Sequence, residues 1–192
     1  MTDYFQPAFY KLNEDSTALI KFVASKVEKV KSILDLGAGS GVIGIELSNI
    51  LVPEILCFVE VQAEWESYLK KNVETFLNKQ VQYQIYIETF GNWLPKKEYD
   101  LIVCNPPYFL PGHGKPNSNR CREISRSFIV DGWDVLLNKI SISLSSQGRA
   151  FIVVRKDQRI LNEVDRKVSK IFSKKYFYKH LVFIELARLN IN

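Results

Sequence analysis

Two short stretches of this 192-residue chain carry residue types suited to chemistry. The first is Asn105-Pro106-Pro107-Tyr108, which follows directly on the apolar run Tyr99–Cys104. Adjacent prolines fix φ and lack N–H donors, so they end regular hydrogen bonding and hold the carbonyl between them rigid. The corner so formed carries one amide side chain and one phenol. The second stretch is Gly37-Ala38-Gly39-Ser40-Gly41, between the short apolar run Ser32–Leu36 and the helix-compatible Val42–Leu51. Glycines let a backbone take positive φ and approach a ligand closely. The N–H groups that start the following helix can donate to an anion or a carboxylate. No Gly-Lys-Ser/Thr follows, so this is not a P-loop. Gly39, Gly41 and Gly44 also meet the G-x-G-x-x-G spacing, and the glycines alone leave the identity of the nucleotide open.

Two acids refine the choice. Asp35 lies two residues before the first glycine, and Glu60 ends the next predicted strand about 20 residues further on. A carboxylate at the Glu60 position can accept two hydrogen bonds from a ribose diol, whether of NAD or of S-adenosylmethionine. An acid just ahead of the glycines suits a cationic ligand: Asp35 can bond, directly or through water, near the amino acid part of S-adenosylmethionine. Ala38 inside the loop and Val61 after Glu60 complete the expected cofactor contacts, together with Asn105.

These residues need elements to position them. Helical spacing runs over Asp15–Val30, Val42–Leu51, Gln62–Leu77, Phe128–Ser145 and Ile160–Phe172. Strands are predicted at 32–36, 55–61, 81–87, 99–104, 148–154, 175–178 and 181–189. Strand and helix alternate, and strands such as Leu101-Ile102-Val103 are apolar on both faces. The pattern predicts an α/β fold with a seven-stranded, mainly parallel sheet and helices on both faces. Right-handed crossovers leave a crevice at the carboxyl ends of the first and fourth strands, where the sheet order reverses. The glycine loop and the proline corner both fall at such ends.

Composition bounds the function. With 46% apolar and 24% charged residues and no internal repeat, the chain reads as one domain over 1–192, with 1–31 as lead-in and first helix. A chain this long buries roughly 70% of its unfolded surface. Met1–Tyr10 is polar and aromatic, so no signal peptide is expected, and the apolar runs are too short to span a membrane. Cys57, Cys104 and Cys121 have no metal spacing, and an odd count argues against a disulfide framework. With only His113 and His180 as histidines, no metal is expected, and a cytoplasmic location fits. A net charge of +5 is compatible with a polyanionic partner without establishing one.

DLGAGSGVIG (35–44), FVE (58–60) and YDLIVCNPPYF (99–109) together resemble the motifs of class I S-adenosylmethionine methyltransferases that modify planar amino or amide nitrogens. The resemblance covers nearly the whole chain and implies a Rossmann-like fold. It makes Asn105, Pro106, Pro107 and Tyr108 the catalytic group. Adenine N6 is a poor nucleophile because its lone pair is delocalised into the ring. Accepting its two hydrogens on the Asn105 side-chain oxygen and the Pro106 carbonyl favours pyramidalisation and aims the lone pair at the sulfonium methyl. Transfer is then an in-line displacement governed by positioning and electrostatics. Tyr108, with Phe109, offers a stacking face.

NPPYFLPGHGKPNSNRCREISRSF (105–128) is similar to the bacterial tRNA adenine N6-methyltransferases that act beside the anticodon of a valine tRNA. The matching features are Phe109, Gly112 and Arg122-Glu123-Ile124-Ser125-Arg126. Gln6-Pro7 and Asp15 resemble that family's lead-in. Asp15 then closes over the cofactor or, more plainly, caps the first helix. The resemblance implies RNA, with tRNA foremost, as partner. Lys115, Arg120, Arg122 and Arg126 place four cations within twelve residues, able to grip phosphates around an everted nucleotide. Lys174–His180 (KKYFYKH) interleaves base and aromatic but is expected to pack in the sheet. The third strand ends without the family's adenine-holding Asp, and Glu88 is expected to substitute.

Rival readings share the proline motif. Glutamine-amide methyltransferases of release factors carry a helical amino-terminal domain, whereas only about thirty residues here precede the first strand. Ribosomal-RNA guanine N2-methyltransferases usually carry a further domain. A non-catalytic binding module would be expected to have degenerate motifs. An NAD dehydrogenase has no use for the proline corner. Oligomeric state is left open.

Overall fold

The computed structural model describes residues 3–8, 13–107, 130–167 and 171–188, with the side chains of 167, 171 and 172 undescribed. Among the described residues seven strands form one sheet. They are β1 (Ser32–Leu36), β2 (Ile55–Glu60), β3 (Gln82–Ile87), β4 (Tyr99–Cys104), β5 (Leu144–Arg155), β6 (Ile171–Tyr178) and β7 (Leu181–Arg188). The α-helices among the described residues are α1 (Glu14–Ala24), α2 (Val42–Leu51), α3 (Glu66–Phe76), α4 (Trp133–Ser143) and α5 (Gln158–Lys167).

The sheet order is β3-β2-β1-β4-β5-β7-β6. The first five strands are mutually parallel, and β7 runs antiparallel to both β5 and β6. From β1 the chain builds outward to β2 and β3, then returns to lay β4 on the other side of β1. The reversal predicted from the alternation is therefore present, at the carboxyl ends of β1 and β4.

Burial on both faces explains the unbroken apolar strands. Alternate residues of each strand enter different cores. Ile33, Phe58, Leu101, Val103 and Phe151 meet α1, α2 and α3 through Leu19, Val23, Ile45, Leu47 and Leu69. Leu34, Leu36, Val59, Ile102 and Ile152 meet α4 and α5 through Trp133, Leu136, Ile140, Leu161 and Val164. The expected α/β Rossmann-like architecture, with helices on both faces, is the one observed.

Several boundaries differ from the sequence reading, and three of them have a clear local reason. Helix α1 stops at Ala24 rather than Val30, because the Ser25 hydroxyl donates to the Phe22 carbonyl and competes with the helical ladder. Strand β5 begins at Leu144, directly after α4, with a register irregularity opposite Tyr99. There a Cβ on Gly148 would lie 2.7 Å from the Tyr99 carbonyl oxygen, so only glycine allows the approach. Ile171 and Phe172, read as the end of a helix, instead pair with Arg188 and Ala187 at the start of β6. An apolar pair fits either period, and the β7 edge decided.

Asp100 stitches the amino ends of the strands. Its Oδ2 accepts from the N–H groups of Lys31 and Ser32 at 3.0 and 3.2 Å, and its Oδ1 accepts from the Ser145 hydroxyl at 3.2 Å. Asp100→Ala removes the acceptor of two N–H groups at the amino end of β1. It is expected to lower stability by about 1–3 kcal/mol in urea unfolding, with the fold retained by circular dichroism.

Candidate active site

The glycine loop turns tightly at the top of β1. Gly37, Gly39 and Gly41 all have positive φ, at 74°, 54° and 79°. The N–H groups of Gly37 and Ala38 both donate to the Val59 carbonyl, at 2.8 and 3.1 Å, which ties the loop to β2. Gly41 is the N-cap of α2 and has no side chain with which to cap it. A Cβ there would fall 2.4 Å from Leu69 Cδ1, so a cap residue such as Ser or Asp cannot be accommodated. Asp35 serves instead: from β1, its Oδ2 accepts the Gly44 N–H at 2.9 Å. Gly44 in turn must lack a side chain, because a Cβ would meet Phe58 at 2.8 Å and Asp35 Oδ2 at 3.0 Å.

The expected anion seat at the start of α2 is thus partly filled by the protein's own carboxylate. Glu60 behaves similarly at the end of β2. Its Oε2 accepts from the Gly39 N–H at 2.8 Å and its Oε1 from the Gln62 N–H at 2.9 Å. Both acids are buried. Burial pushes Asp35 up to about 7, against the pull of the Gly44 N–H and with a further push from the Glu60 charge. Burial likewise raises Glu60, against the N–H groups of Gln62, Gly39 and Val61. Asp35 Oδ1 has no hydrogen-bond partner. A diphosphate brought to this loop adds negative charge to two carboxyls already costly to ionise. A ligand with net positive charge relieves them. The electrostatics therefore separate the two nucleotides that the glycine spacing left open, in favour of S-adenosylmethionine, whose sulfonium and ammonium outweigh its carboxylate.

Two aromatic residues not picked out from the sequence flank the loop. Phe90 lies 3.6 Å from where a Gly37 Cβ would be, and Trp65 lies 3.7 Å from the corresponding point on Gly39. Phe90 is held by its N–H donating to Asp131 Oδ2 at 2.8 Å. Glu88, expected to hold an adenine, sits at the end of β3 with its N–H donating to the Glu60 carbonyl at 2.9 Å and its side chain exposed.

The proline corner begins where expected, at the carboxyl end of β4 beside β1. Pro106 is buried, and Asn105 and Pro107 are partly so. The Asn105 Nδ2 donates to the Ser16 hydroxyl at 2.8 Å, so the amide oxygen is turned to the side away from Ser16. Tyr108, Phe109, Lys115, Arg120, Arg122 and Arg126 lie outside the described residues. Asp15 is not the N-cap of α1: Asn13 is, its side chain accepting the Ser16 N–H at 3.0 Å. Asp15 is buried in the first turn and faces Arg155 Nε at 3.7 Å and His180 Nε2 at 3.4 Å.

The lead-in is fastened by a residue the sequence did not single out. Buried Asn72 of α3 exchanges hydrogen bonds with the Phe5 backbone, at 2.8 and 2.9 Å, and donates to the Ser40 carbonyl at 2.8 Å. An asparagine breaking the apolar stripe of α3 was the available signal. Among the described residues no group of three His, Cys, Asp or Glu side chains could hold a metal ion. No helix among them is long and apolar enough to cross a membrane. Cys57 and Cys104 are buried free thiols.

Because the folded-state Asp35 binds its proton more tightly than an unfolded aspartate does, acidification from pH 7 towards 4 adds stability through this group. Raising the pH through 7 removes that gain. As the pH falls over that window, the stability difference between the unaltered protein and Asp35→Asn is expected to shift towards the unaltered protein by roughly 1 kcal/mol per pH unit, measured by denaturant unfolding without ligand.

Comparison with known proteins agrees with this geometry. The sequence profile described as "Methyltransferase small domain" matches residues 8–179. A tRNA1(Val) (adenine(37)-N6)-methyltransferase of Pedobacter heparinus is 30% identical over 146 residues, 75% of this chain and 59% of that protein. One from Flavobacterium psychrophilum is 29% identical over 125 residues, 64% of this chain and 52% of that protein. The chain thus spans little more than half the length of these relatives. Among solved structures, a 16S rRNA guanine N2-methyltransferase of Thermus thermophilus in complex with AdoMet and guanosine superposes with a TM-score of 0.68 at 17% identity, over 93% of this chain and 44% of that one. A ribosomal protein L11 methylase of Lactobacillus delbrueckii superposes with a TM-score of 0.66 at 15% identity, over 97% of this chain and 91% of that one. With the matched profile spanning most of its length, the chain belongs to the methyltransferase small domain family.

Proposed function

We propose that this protein methylates the exocyclic N6 amine of an adenine in RNA, with tRNA near the anticodon as substrate, as one catalytic domain acting in the cytoplasm. The cofactor is S-adenosylmethionine, which supplies an electrophilic methyl on a sulfonium. The observation that carries the reading is the placement of Asn105, its amide nitrogen anchored on Ser16, at the end of β4 beside the acid-floored glycine loop. Its amide oxygen then accepts one amine hydrogen and the Pro106 carbonyl the other. Burial of Pro106 keeps that carbonyl fixed and limits water at the corner.

Around the cofactor, Glu60 receives the ribose hydroxyls on lone pairs left beside its bonds from backbone N–H groups. Asp35 supplies negative charge under the loop, and Gly37, Ala38, Gly39, Gly41, Val61 and Glu88 give close contacts. On the substrate side, Tyr108 and Phe109 stack the target base, and Lys115, Arg120, Arg122 and Arg126 hold phosphates. The adenine N6 activity after which the Pedobacter heparinus and Flavobacterium psychrophilum relatives are named supports the assignment.

The test is incubation with labelled S-adenosylmethionine and, separately, unmodified tRNA, total RNA and release factor, followed by nucleoside mass spectrometry. N6-methyladenosine in tRNA is the expected product. Label in release factor alone overturns the reading. Asn105→Ala is expected to leave S-adenosylmethionine affinity within a few fold while turnover falls at least a hundredfold, on the order of one lost transition-state contact.

A further inference from the structure

The proposed chemistry leaves unused a groove of about 560 Å³ beside the reaction corner, between α1 and the β6–β7 hairpin. Ala18 and Lys21 form one wall, Tyr178, Lys179 and His180 the other. Its floor is aromatic: Phe22 and Phe183 stack with ring centroids 4.3 Å apart and planes 7° from parallel. The Lys174–His180 stretch, expected to pack in the sheet, does so only in part. Tyr176 reaches α1 through Phe22, but Tyr178 at the tip is 53% exposed. Lys179 turns the hairpin with φ of 52° and stands over the Tyr178 ring at 5.5 Å.

The groove and the corner share the first turn of α1. Asn13 lines the groove and caps the helix, accepting the Ser16 N–H, and the Ser16 hydroxyl accepts from Asn105. On the other wall His180 reaches Asp15, next to Ser16. A strand that delivers its adenine to Asn105 therefore meets the groove across one helix, roughly 10 Å wide. The surface is complementary to a nucleotide in particular. An exposed ring and an apolar floor suit a flat base, and Lys21, Lys179 and His180 on the rim suit a phosphodiester, with Glu14 as the opposing charge.

We propose that this groove is an RNA subsite that takes a nucleotide flanking the methylated adenine, its base on Tyr178 and the phosphates on either side of it on Lys21 and Lys179. The assignment rests on the RNA reading of the proline corner and adds to it a grip outside the 108–129 segment.

The test uses an unmodified tRNA transcript and a single-stranded anticodon-loop oligonucleotide carrying 2-aminopurine next to the target adenine. Tyr178→Ala is expected to weaken oligonucleotide binding about tenfold and to abolish the quenching of 2-aminopurine, whereas Tyr178→Phe stays within twofold. Replacing both Lys21 and Lys179 by Ala is expected to lower the slope of log affinity against log salt by about 1.4, two single-strand phosphate contacts. S-adenosylmethionine affinity and the thermal unfolding midpoint should be unchanged in all three, since the altered side chains are exposed. If the unaltered protein methylates tRNA while the variants match it in affinity, quenching and salt slope, the groove assignment alone is overturned. If the unaltered protein neither binds nor methylates RNA, the corner reading falls and the groove assignment with it.

Discussion

The site depends on two buried carboxylates that hold backbone N–H groups of the glycine loop, the start of α2 and the end of β2. Gly41 takes a φ of 79°, which strains any residue with a Cβ, and such an atom would also crowd Leu69 and Phe58, so α2 begins without a cap from its own N-cap side chain. Asp35 reaches up from β1 to Gly44, and Glu60 reaches across from β2 to Gly39 and Gln62. The ends of two strands, the loop and the start of a helix are locked by these two side chains. The arrangement is costly to ionise, as the upward shift of both acids records. A cationic ligand recovers part of that cost, which couples the loop's geometry to the charge of what it binds.

Close packing extends the constraint outward. The lead-in, α3 and the loop meet at Asn72, whose single amide satisfies the Phe5 backbone and the Ser40 carbonyl. Tyr4 and Phe5 then pack on Phe76, and the Tyr4 hydroxyl donates to Glu46 on α2. On the other side of the sheet reversal, α1 brings Ser16 against Asn105 while its outer face builds a groove with the β6–β7 hairpin. One helix thus orients the reacting amide and borders the surface beside it.

Legibility in the sequence followed the range of the interaction. Ser32–Leu36, Val42–Leu51 and Tyr99–Cys104 were readable to the residue, because glycines or prolines punctuate a strong local pattern. The sheet reversal was readable because alternating strands and helices leave few unknotted, right-handed solutions. Less legible were places where two patterns coincide. Ile171-Phe172 fits a helix or a strand, and an acid at Asp15 can cap a helix or be buried beneath Arg155 and His180. Ser16 and Asn72 gave little local signal, since their partners lie 89 and 67 residues away.

The sequence by itself determined the kind of site: a glycine turn after a strand, acids at Asp35 and Glu60, and an amide stiffened by two prolines. These are statements about residue types and near neighbours, which local sterics enforce. Only the tertiary structure decided what those groups are bonded to. It spent one Asp35 oxygen on a helix start, turned the Asn105 nitrogen to Ser16, and left Tyr178 exposed on a strand that reads as buried. Burial, and with it the shift of a carboxyl towards neutral pH, exists only once distant segments close around the group.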